Sequence, residues 1–399
     1  MTDRIPVKDY KDVYCPLPFN HMNMHPNGNV SLCCVAEMFP PNDGFYRGQT
    51  SRHMMNLKQH TVKEMWEKST VTEVREQMLQ GKKPKACEGC YKIEDNGGVS
   101  RRMTEGERWG RGLYEPKLEF IDLRMSNLCN SKCMMCYPDS SSSLAKEYKQ
   151  WEKELDFVPN NPTEYELFQW FNDETIEQIL EHKDTLKYLY INGGEPFMMP
   201  FQWKFLERLI EEGVSKNIQI SYNTNCSLYE ERFNDIWKEF KVVTLGMSVD
   251  GVGDKNTWIR KPINTWESIN ENIQSLIKAD GLDHINLTCT IQWLNLPFME
   301  EYYDWALPII EQKEHSTINQ NFLTFPHYLS VNCMPLEWKQ KVKCMFLDSK
   351  HRKHLLTSTM NSYLDSKEEN PLLLKQGKQF CDVVSKQRDN WREVFPYEY

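Results

Sequence analysis

The sequence lacks the signals of a membrane or secreted protein. None of its 399 residues lies in an apolar run as long as a membrane span, and the N-terminal stretch MTDRIP has no signal-peptide core. Low-complexity segments and internal repeats are absent from the sequence as well. We therefore expect a globular, cytoplasmic protein of two or three domains, without a membrane partner.

The sequence has fewer cationic than anionic side chains. Lys and Arg number 48 against 57 Asp and Glu, so the net charge is −9. Proteins bind nucleic acid chiefly through cationic side chains that neutralise phosphates. The balance of charge therefore argues against a DNA or RNA partner.

Cysteine, in contrast, is plentiful, with 13 residues. A reducing cytosol disfavours disulfides in a large chain, so metal binding is the expected role of clustered thiols. Three of them lie close together in the stretch CNSKCMMC at 129–136. No His occurs between His60 and His182, so this loop has no fourth ligand nearby.

Three thiols without a fourth ligand fit an iron–sulfur cluster better than structural zinc. Structural zinc takes four protein ligands. A cubane [4Fe–4S] cluster held by three thiolates keeps one iron open for chemistry. An incomplete zinc site is the alternative interpretation of the loop.

The spacing Cys-x3-Cys-x2-Cys, after a predicted strand at 118–125, resembles the cluster loop of the radical S-adenosylmethionine (SAM) enzymes. The resemblance implies a catalytic [4Fe–4S] cluster at Cys129, Cys133 and Cys136, with SAM bound to its open iron. One electron would then cleave SAM to methionine and a 5′-deoxyadenosyl radical, which takes a hydrogen atom from a substrate. Met135 stands where relatives place an apolar residue against the adenine.

A glycine-rich turn after the second predicted strand strengthens this resemblance. Gly193-Gly194-Glu195-Pro196 is similar to the family's GGEP motif, which contacts the amino group of SAM. Two glycines let the backbone approach a ligand closely, and a carboxylate beside them can receive an ammonium group.

Later strand ends carry weaker motifs of the same family. Asn223 lies in YNTNC, where relatives have a Thr-Asn-Gly turn, and Cys226 replaces the Gly and is expected to pack as a small hydrophobe. By the same resemblance, Ser248 and Asp250 would face the SAM ribose. Arg260 would face the methionyl carboxylate, which the guanidinium fork suits. A turn with a capping Asp is the alternative for 248–250.

Four further thiols form a second candidate metal site. The stretch HPNG at 25–28 predicts a hairpin turn that brings Cys15 near Cys33, and Cys87 and Cys90 follow in a Cys-x-x-Cys turn. Adjacent residues of a strand point to opposite faces, so one of Cys33 and Cys34 is expected to be spare. The spacing from the turn favours Cys33 as the ligand.

This pattern, over about residues 13 to 102, resembles the SPASM and twitch modules of radical SAM enzymes, although such modules usually follow the barrel. It implies an auxiliary [4Fe–4S] cluster at Cys15, Cys33, Cys87 and Cys90, for electron transfer or substrate binding. One alternative is a zinc-stabilised docking module for a peptide or protein. Another is an iron–sulfur electron-transfer protein without radical chemistry.

Predicted strands and helices alternate from residue 117 onward. The strands are expected at 118–125, 186–192, 217–223, 242–249, 285–292 and 322–331, and the helices at 143–155, 174–181, 202–212, 230–240 and 266–279. Such alternation predicts an α/β fold with a parallel sheet, and the resemblance implies a partial (β/α)6 radical SAM barrel.

The expected domains are three. A small N-terminal Cys-rich α+β domain would cover 1–105, the barrel 106–331 and a helical C-terminal extension 332–399. Polar residues and glycines at 101–116 predict a linker between the first two. The resemblance further implies an electron donor such as flavodoxin or ferredoxin, and a substrate that is a peptide, a protein or a small molecule.

Overall fold

The computed structural model describes residues 13–36, 56–68, 70–110, 115–159 and 166–397. Its strands, in chain order, are β1 His21–Met24, β2 Val30–Ser31, β3 Phe120–Leu123, β4 Tyr188–Ile191, β5 Gln219–Thr224, β6 Val242–Ser248, β7 His284–Ile291 and β8 Thr317–Phe322.

The helices precede, separate and follow these strands. They are α1 Leu17–Asn20, α2 Val62–Lys68, α3 Thr70–Leu79, α4 Glu88–Asp95, α5 Arg101–Trp109, α6 Ala145–Glu154, α7 Asp173–Leu180, α8 Pro200–Glu211, α9 Arg232–Trp237, α10 Asp254–Arg260, α11 Trp266–Ile277, α12 Met299–Ile310, α13 Leu336–Asp348, α14 Arg352–Leu355, α15 Ser358–Asp365, α16 Pro371–Val384 and α17 Trp391–Val394. Among the described residues, no helix combines the length and apolarity needed to cross a membrane.

The described residues group into two compact units. The first contains the described residues of 13–36, 56–68, 70–110, 115–128, 166–222 and 239–242, and the second contains 129–159, 223–238 and 243–397.

In the first unit the strands follow the order β2-β1-β3-β4-β5. The N-terminal hairpin is antiparallel, and β1 then pairs in parallel with β3, with His21 opposite Phe120. Parallel pairing continues from β3 to β4 and from β4 to β5. The Cys-rich segment thus continues the parallel strands through β1.

Local hydrogen bonds in the first unit close the N-terminal hairpin and cap the start of α2. The hairpin turn closes through a 2.8 Å hydrogen bond from His25 N to Asn29 O, with Gly28 at φ +87°. Before α2, Thr61 and Glu64 form a reciprocal capping box, because each backbone N–H donates to the other side chain at 3.1 Å. The predicted hairpin is therefore confirmed.

The predicted linker at 101–116 is wrong in its first half, which forms α5. Ser100 caps this helix, since its Oγ accepts a 3.2 Å hydrogen bond from Met103 N. Arg101 and Glu105 add an ion pair of 3.1 Å one turn apart. Polar composition hid the helix because these residues stabilise it through caps and charge pairs rather than through an apolar stripe.

In the second unit β7 pairs in parallel with β6 and with β8. Every second residue of β7 is buried, from Ile285 to Ile291. The strand predicted at 322–331 is wrong, because β8 lies at Thr317–Phe322. The polar sequence of β8, in which alternate residues are exposed, concealed it, and Pro326 has no N–H to donate to a ladder.

The remaining predicted strands and all five predicted helices of the barrel region coincide with observed elements to within about three residues at each end. Buried apolar side chains such as Ile121, Leu189 and Leu245 form the core that these elements share within each unit. The predicted α/β class is confirmed.

Candidate cluster-binding sites

The loop with Cys129, Cys133 and Cys136 lies in the second unit and is tied to the end of α10. Ser131 forms an antiparallel bridge with Pro262. Lys132 N donates to Arg260 O at 2.9 Å, and Met134 N donates to Ile259 O at 3.0 Å. These bonds fix the backbone on both sides of the central cysteine.

Polar N–H groups face two of the three sulfurs. Ser131 N lies 3.5 Å and Asn225 Nδ2 lies 4.0 Å from Cys129 Sγ. Arg260 Nη1 lies 3.9 Å from Cys133 Sγ. Donors aimed at sulfur stabilise its anionic form and tune any metal that it binds.

Burial dominates the electrostatics of these thiols. It raises the pKa of Cys133, while the Arg260 guanidinium acts in the opposite direction. Burial, and then the neighbouring Cys133 and Cys129, raise the pKa of Cys136. Burial makes it costly for these thiols to lose their protons. A metal cation that binds the thiolates offsets this cost.

Asp250 and Arg260 form a buried ion pair beside the loop. Arg260 Nε lies 2.7 Å from Asp250 Oδ2, and the Asp250 side chain is fully buried. The other carboxylate oxygen accepts a 2.7 Å hydrogen bond from Thr290 N. Asn295 Nδ2 donates to Asp250 O at 2.8 Å. Both residues are thereby fixed in place.

The other predicted residues of this unit lie on the loop and at strand ends. Met135 is half-buried within the loop, Ser248 is half-buried at the end of β6, and Asn223 is exposed on β5. Cys226 is fully buried at φ +59°, a left-handed conformation that glycine adopts most easily. Its burial agrees with the expected packing role.

Gly193-Gly194-Glu195-Pro196 lies in the first unit, where the chain turns sharply after β4. Gly193 and Gly194 have φ of +79° and +59°. A Cβ on Gly194 would overlap the carbonyl oxygen of Leu128, to which Glu195 N donates at 2.7 Å. The Glu195 carboxylate is buried and accepts a 3.2 Å hydrogen bond from Phe197 N. Only glycine permits this close approach.

The N-terminal thiols lie near one another in the first unit. Burial raises the pKa of Cys15, and Cys87, Cys33 and Cys90 add to the effect. Burial also raises the pKa of Cys33 to about 11 and that of Cys87 to about 12, with Cys90 contributing to both. The pKa values of Cys15, Cys33 and Cys87 are therefore each raised in part by neighbouring thiols.

Cys34 is in a different environment from Cys33. Its side chain is exposed, and Arg101 Nη1 donates to its sulfur at 2.9 Å. Cys33 is partly buried and packs against the core cluster that contains Cys15.

The donor chemistry of both sites suits iron and sulfide. Within the described ranges, no three His, Cys, Asp or Glu side chains are arranged as ligands of one metal ion. Soft thiolates are the ligands that iron–sulfur clusters use, and hydrogen bonds to sulfur are part of how proteins tune them. The thiols of 129–136, with N–H groups facing two of the sulfurs, fit such a cluster.

Sequence reasoning missed Asn225 as a residue that organises the loop. Its Nδ2 donates to Asn130 Oδ1 at 2.8 Å and to Ser131 Oγ at 2.9 Å. Ser227 Oγ donates to the same Asn130 oxygen at 3.1 Å. The position of Asn225 as the middle residue of the Thr-Asn-Cys turn was the available signal.

Comparison with known proteins gives two curated relatives. The chain is 25% identical over 204 residues to the radical SAM cyclopropyl synthase TigE of Paramaledivibacter caminithermalis, which covers 47% of this chain and 41% of the relative. It is 21% identical over 230 residues to the uncharacterized protein MJ0907 of Methanocaldococcus jannaschii, which covers 53% of this chain and 71% of the relative. The chain thus spans less than half the length of TigE.

Solved structures are similar at lower identity. AdoMet-bound native anSMEcpe has a TM-score of 0.43 and 16% identity, over 59% of this chain and 62% of that chain. SuiB of Streptococcus suis bound to S-adenosylmethionine has a TM-score of 0.38 and 13% identity, over 73% and 62%.

Two family models match successive parts of the chain. An iron–sulfur cluster-binding domain, SPASM, matches residues 15–91, which contain the N-terminal thiols. The radical SAM superfamily matches residues 123–297, from β3 through the three-thiol loop and past β7. The chain therefore contains a radical SAM region, with an iron–sulfur domain of the SPASM type at its N-terminal side.

Proposed function

We propose that the chain cleaves SAM reductively at a [4Fe–4S] cluster held by Cys129, Cys133 and Cys136. When bound, this cluster supplies the electron that splits SAM into methionine and a 5′-deoxyadenosyl radical, which takes a hydrogen atom from the substrate. The observation that supports the proposal most is the set of N–H groups of Ser131, Asn225 and Arg260 that face the sulfurs of this loop.

Residues of the glycine turn are proposed to receive the amino group of SAM. The backbone at Gly193 and Gly194 has positive φ and no side chain, so a ligand can approach it closely. Glu195 supplies a buried carboxylate, which would attract an ammonium group strongly in a site of low dielectric. Pro196 fixes the chain direction immediately after this carboxylate.

The remaining predicted contacts concern the nucleoside and the carboxylate of SAM. Met135, half-buried beside Cys136, offers a polarisable surface for the adenine. Ser248 and Asp250, at and just after the end of β6, offer hydrogen-bonding groups for the ribose, and Asn223 on β5 lies in the turn that resembles the family's Thr-Asn-Gly motif. Arg260 offers a cation to the methionyl carboxylate, and Asp250 holds that cation in place at 2.7 Å.

A second [4Fe–4S] cluster is proposed at Cys15, Cys33, Cys87 and Cys90. When bound, it would accept the electron that a substrate radical loses in a net oxidation, or it would orient the substrate. Cys15 lies in a buried core cluster of the first unit against which Cys33 and Cys87 pack, and this shared position supports the ligand set. Flavodoxin or ferredoxin would supply the reducing electron, and the substrate is a peptide, a protein or a small molecule.

Metal analysis separates this proposal from its alternatives. Protein reconstituted anaerobically should contain about eight irons and eight sulfides, and the Cys129→Ala/Cys133→Ala/Cys136→Ala variant about four of each. One zinc retained in that variant, with no iron, would instead indicate a zinc docking module. Addition of SAM should change the electron paramagnetic resonance (EPR) spectrum of the reduced wild-type protein. An unchanged spectrum would favour an electron-transfer protein without radical chemistry.

A further inference from the structure

Arg388 is a buried cation far along the sequence from any motif. It lies between α16 and α17, and its side chain is 3% exposed. Burial lowers the pKa of this guanidinium, and Glu147 and Cys133 partly compensate. An arginine is expensive to bury unless its donors are used, so its partners indicate what it does.

The Arg388 guanidinium binds backbone carbonyls on both sides of the bridge that ties down the three-thiol loop. Nη2 donates to Lys132 O at 2.6 Å, directly before Cys133. Nη1 donates to Trp258 O and, at 3.2 Å, to Ile259 O at the end of α10. One side chain thus joins the loop to the helix end that already pairs with it.

A buried carboxylate completes this arrangement. Glu147 on α6 is 2% exposed, and its Oε2 lies 3.2 Å from Arg388 Nη2. Its Oε1 lies 3.3 Å from Lys132 Nζ and 3.3 Å from Lys261 Nζ. The ion pairs therefore involve the loop, the residue after α10 and the C-terminal segment together.

Neighbours of Arg388 hold its segment in register. Trp258 Nε1 donates to Asp389 O at 2.8 Å, and Lys261 Nζ donates to Gln387 O. The ring of Trp391 packs edge-on against Trp293, with centroids 5.7 Å apart. The position of the guanidinium is consequently fixed from both directions along the chain.

We infer that Arg388 is a positioning residue for the catalytic cluster, which holds the backbone of the three-thiol loop and supplies positive charge beside it. This inference rests on the proposed function, because it requires a cluster at Cys129, Cys133 and Cys136. The C-terminal segment is then part of the cluster-binding apparatus.

The charges around the loop indicate the direction of the electronic effect. Arg388, Lys132, Lys261 and Arg260 face two carboxylates, Glu147 and Asp250, which leaves two positive charges in excess. A thiolate-bound cluster becomes more negative on reduction. Nearby cations therefore favour the reduced state, and loss of Arg388 should make the reduction potential more negative.

Variants at Arg388 and a matched control test the inference in the full-length, reconstituted protein. Arg388→Gln removes both the charge and most of the hydrogen bonds. Arg388→Lys keeps the charge, but one ammonium group cannot reach Lys132 O and the carbonyls of α10 together. The control is Arg392→Gln, because Arg392 carries the same charge in the same segment but is half-exposed and pairs with Asp382.

Two readouts are needed besides activity. The first is the rate at which iron is released to a chelator. Only the kinetic phase that is missing in the Cys129→Ala/Cys133→Ala/Cys136→Ala variant is used, because that phase reports the iron held by the loop. The second is the midpoint potential of the EPR signal that the same variant lacks. Far-ultraviolet circular dichroism verifies that each variant is folded.

We expect Arg388→Gln to release loop iron about 10-fold faster than wild type, with a more negative midpoint potential. Arg388→Lys should also release iron faster but keep a midpoint close to that of wild type, and Arg392→Gln should match wild type in both readouts. Should Arg388→Gln fail to fold, Arg388→Lys decides the positioning role by its release rate.

Wild-type release rates in both Arg388 variants would overturn the positioning role, and an unchanged midpoint in Arg388→Gln would overturn the charge effect. Both tests require that the wild-type protein shows a phase of iron release that depends on the three cysteines. If that phase is absent from the wild type, the proposed function itself fails, which distinguishes the two cases.

Discussion

The guanidinium of Arg260 lies 2.7 Å from the carboxylate of Asp250, and its Nη1 lies 3.9 Å from the sulfur of Cys133. Burial disfavours the charged guanidinium, but Asp250 and Cys133 outweigh it and raise the pKa of Arg260. Arg260 thus stays positively charged beside a proposed cluster ligand. The predicted role of Arg260 toward SAM therefore depends on Asp250 to hold the cation in place.

The glycine turn after β4 should tolerate no side chain at its second position. Gly194→Ala would impose φ +59° on an L-residue and drive its Cβ into Leu128 O. We expect this variant to lose roughly 2–4 kcal/mol of unfolding free energy, the sum of left-handed strain and overpacking. Urea denaturation measures the change.

Gly213→Ala is the matched control, since Gly213 has φ +72° and open space around a Cβ. It should lose only about 1–2 kcal/mol, from the backbone strain alone. Equal losses in the two variants would contradict the close approach at Leu128.

Asn225 should matter for cluster retention more than Asn223. Asn225→Ala removes the hydrogen bonds to Asn130 and Ser131 and the N–H that faces Cys129 Sγ. We expect iron release from the three-thiol loop to become about 10-fold faster, as for other residues that orient metal ligands. Asn223→Ala should leave that rate unchanged and weaken SAM binding. The opposite pattern would reverse the assignment of the two side chains.

The choice between Cys33 and Cys34 can be decided by iron analysis of single variants. Cys33→Ala should lose about four irons, because Cys33, like Cys87, packs against the buried cluster that contains Cys15. Cys34→Ala should retain full iron, since Cys34 is exposed beside Arg101. Loss of iron in Cys34→Ala but not in Cys33→Ala would reassign the ligand.

His21 on β1 should make stability sensitive to mild acid. Burial lowers its pKa from 6.5 to about 4, while its Nδ1 lies 3.0 Å from Leu32 O. The unfolded chain therefore binds a proton between these values that the folded chain does not. Stability is full above the unfolded pKa and falls as the pH drops.

Between pH 7 and pH 5, His21 should cost about 2 kcal/mol of unfolding free energy. His21→Gln should remove this loss, as measured by urea denaturation at each pH. His327→Gln, at an exposed position, should keep the wild-type pH dependence. If His21→Gln keeps it too, the acid sensitivity belongs to other groups.

The strands were predictable where burial imposes a continuous apolar pattern. Val243, Leu245 and Met247 of β6 are all fully buried, and the predicted range 242–249 differs from the observed strand by one residue. At β8 the same reasoning failed, because Asn319 and Asn321 are exposed and the more apolar residues 323–331 follow the strand rather than form it.

The candidate cluster ligands at 129–136 can be proposed from the sequence because spacing alone brings the thiols of one loop together. The residues that hold the loop were not, since they come from distant parts of the chain. Arg388 contacts Lys132 across a separation of 256 residues, and no local pattern marks it. Asn225 lies within a recognised turn. The next residue, Cys226, has a left-handed backbone, and a sequence does not indicate this conformation when the residue is not glycine.

The most direct test of the central claim is the formation of 5′-deoxyadenosine by the anaerobically reconstituted protein with SAM and dithionite. Mass spectrometry should detect 5′-deoxyadenosine and methionine in equal amounts with the wild type. Neither product should form with the Cys129→Ala/Cys133→Ala/Cys136→Ala variant. If wild-type protein with full iron yields no 5′-deoxyadenosine above the level of that variant, the proposed radical chemistry is contradicted.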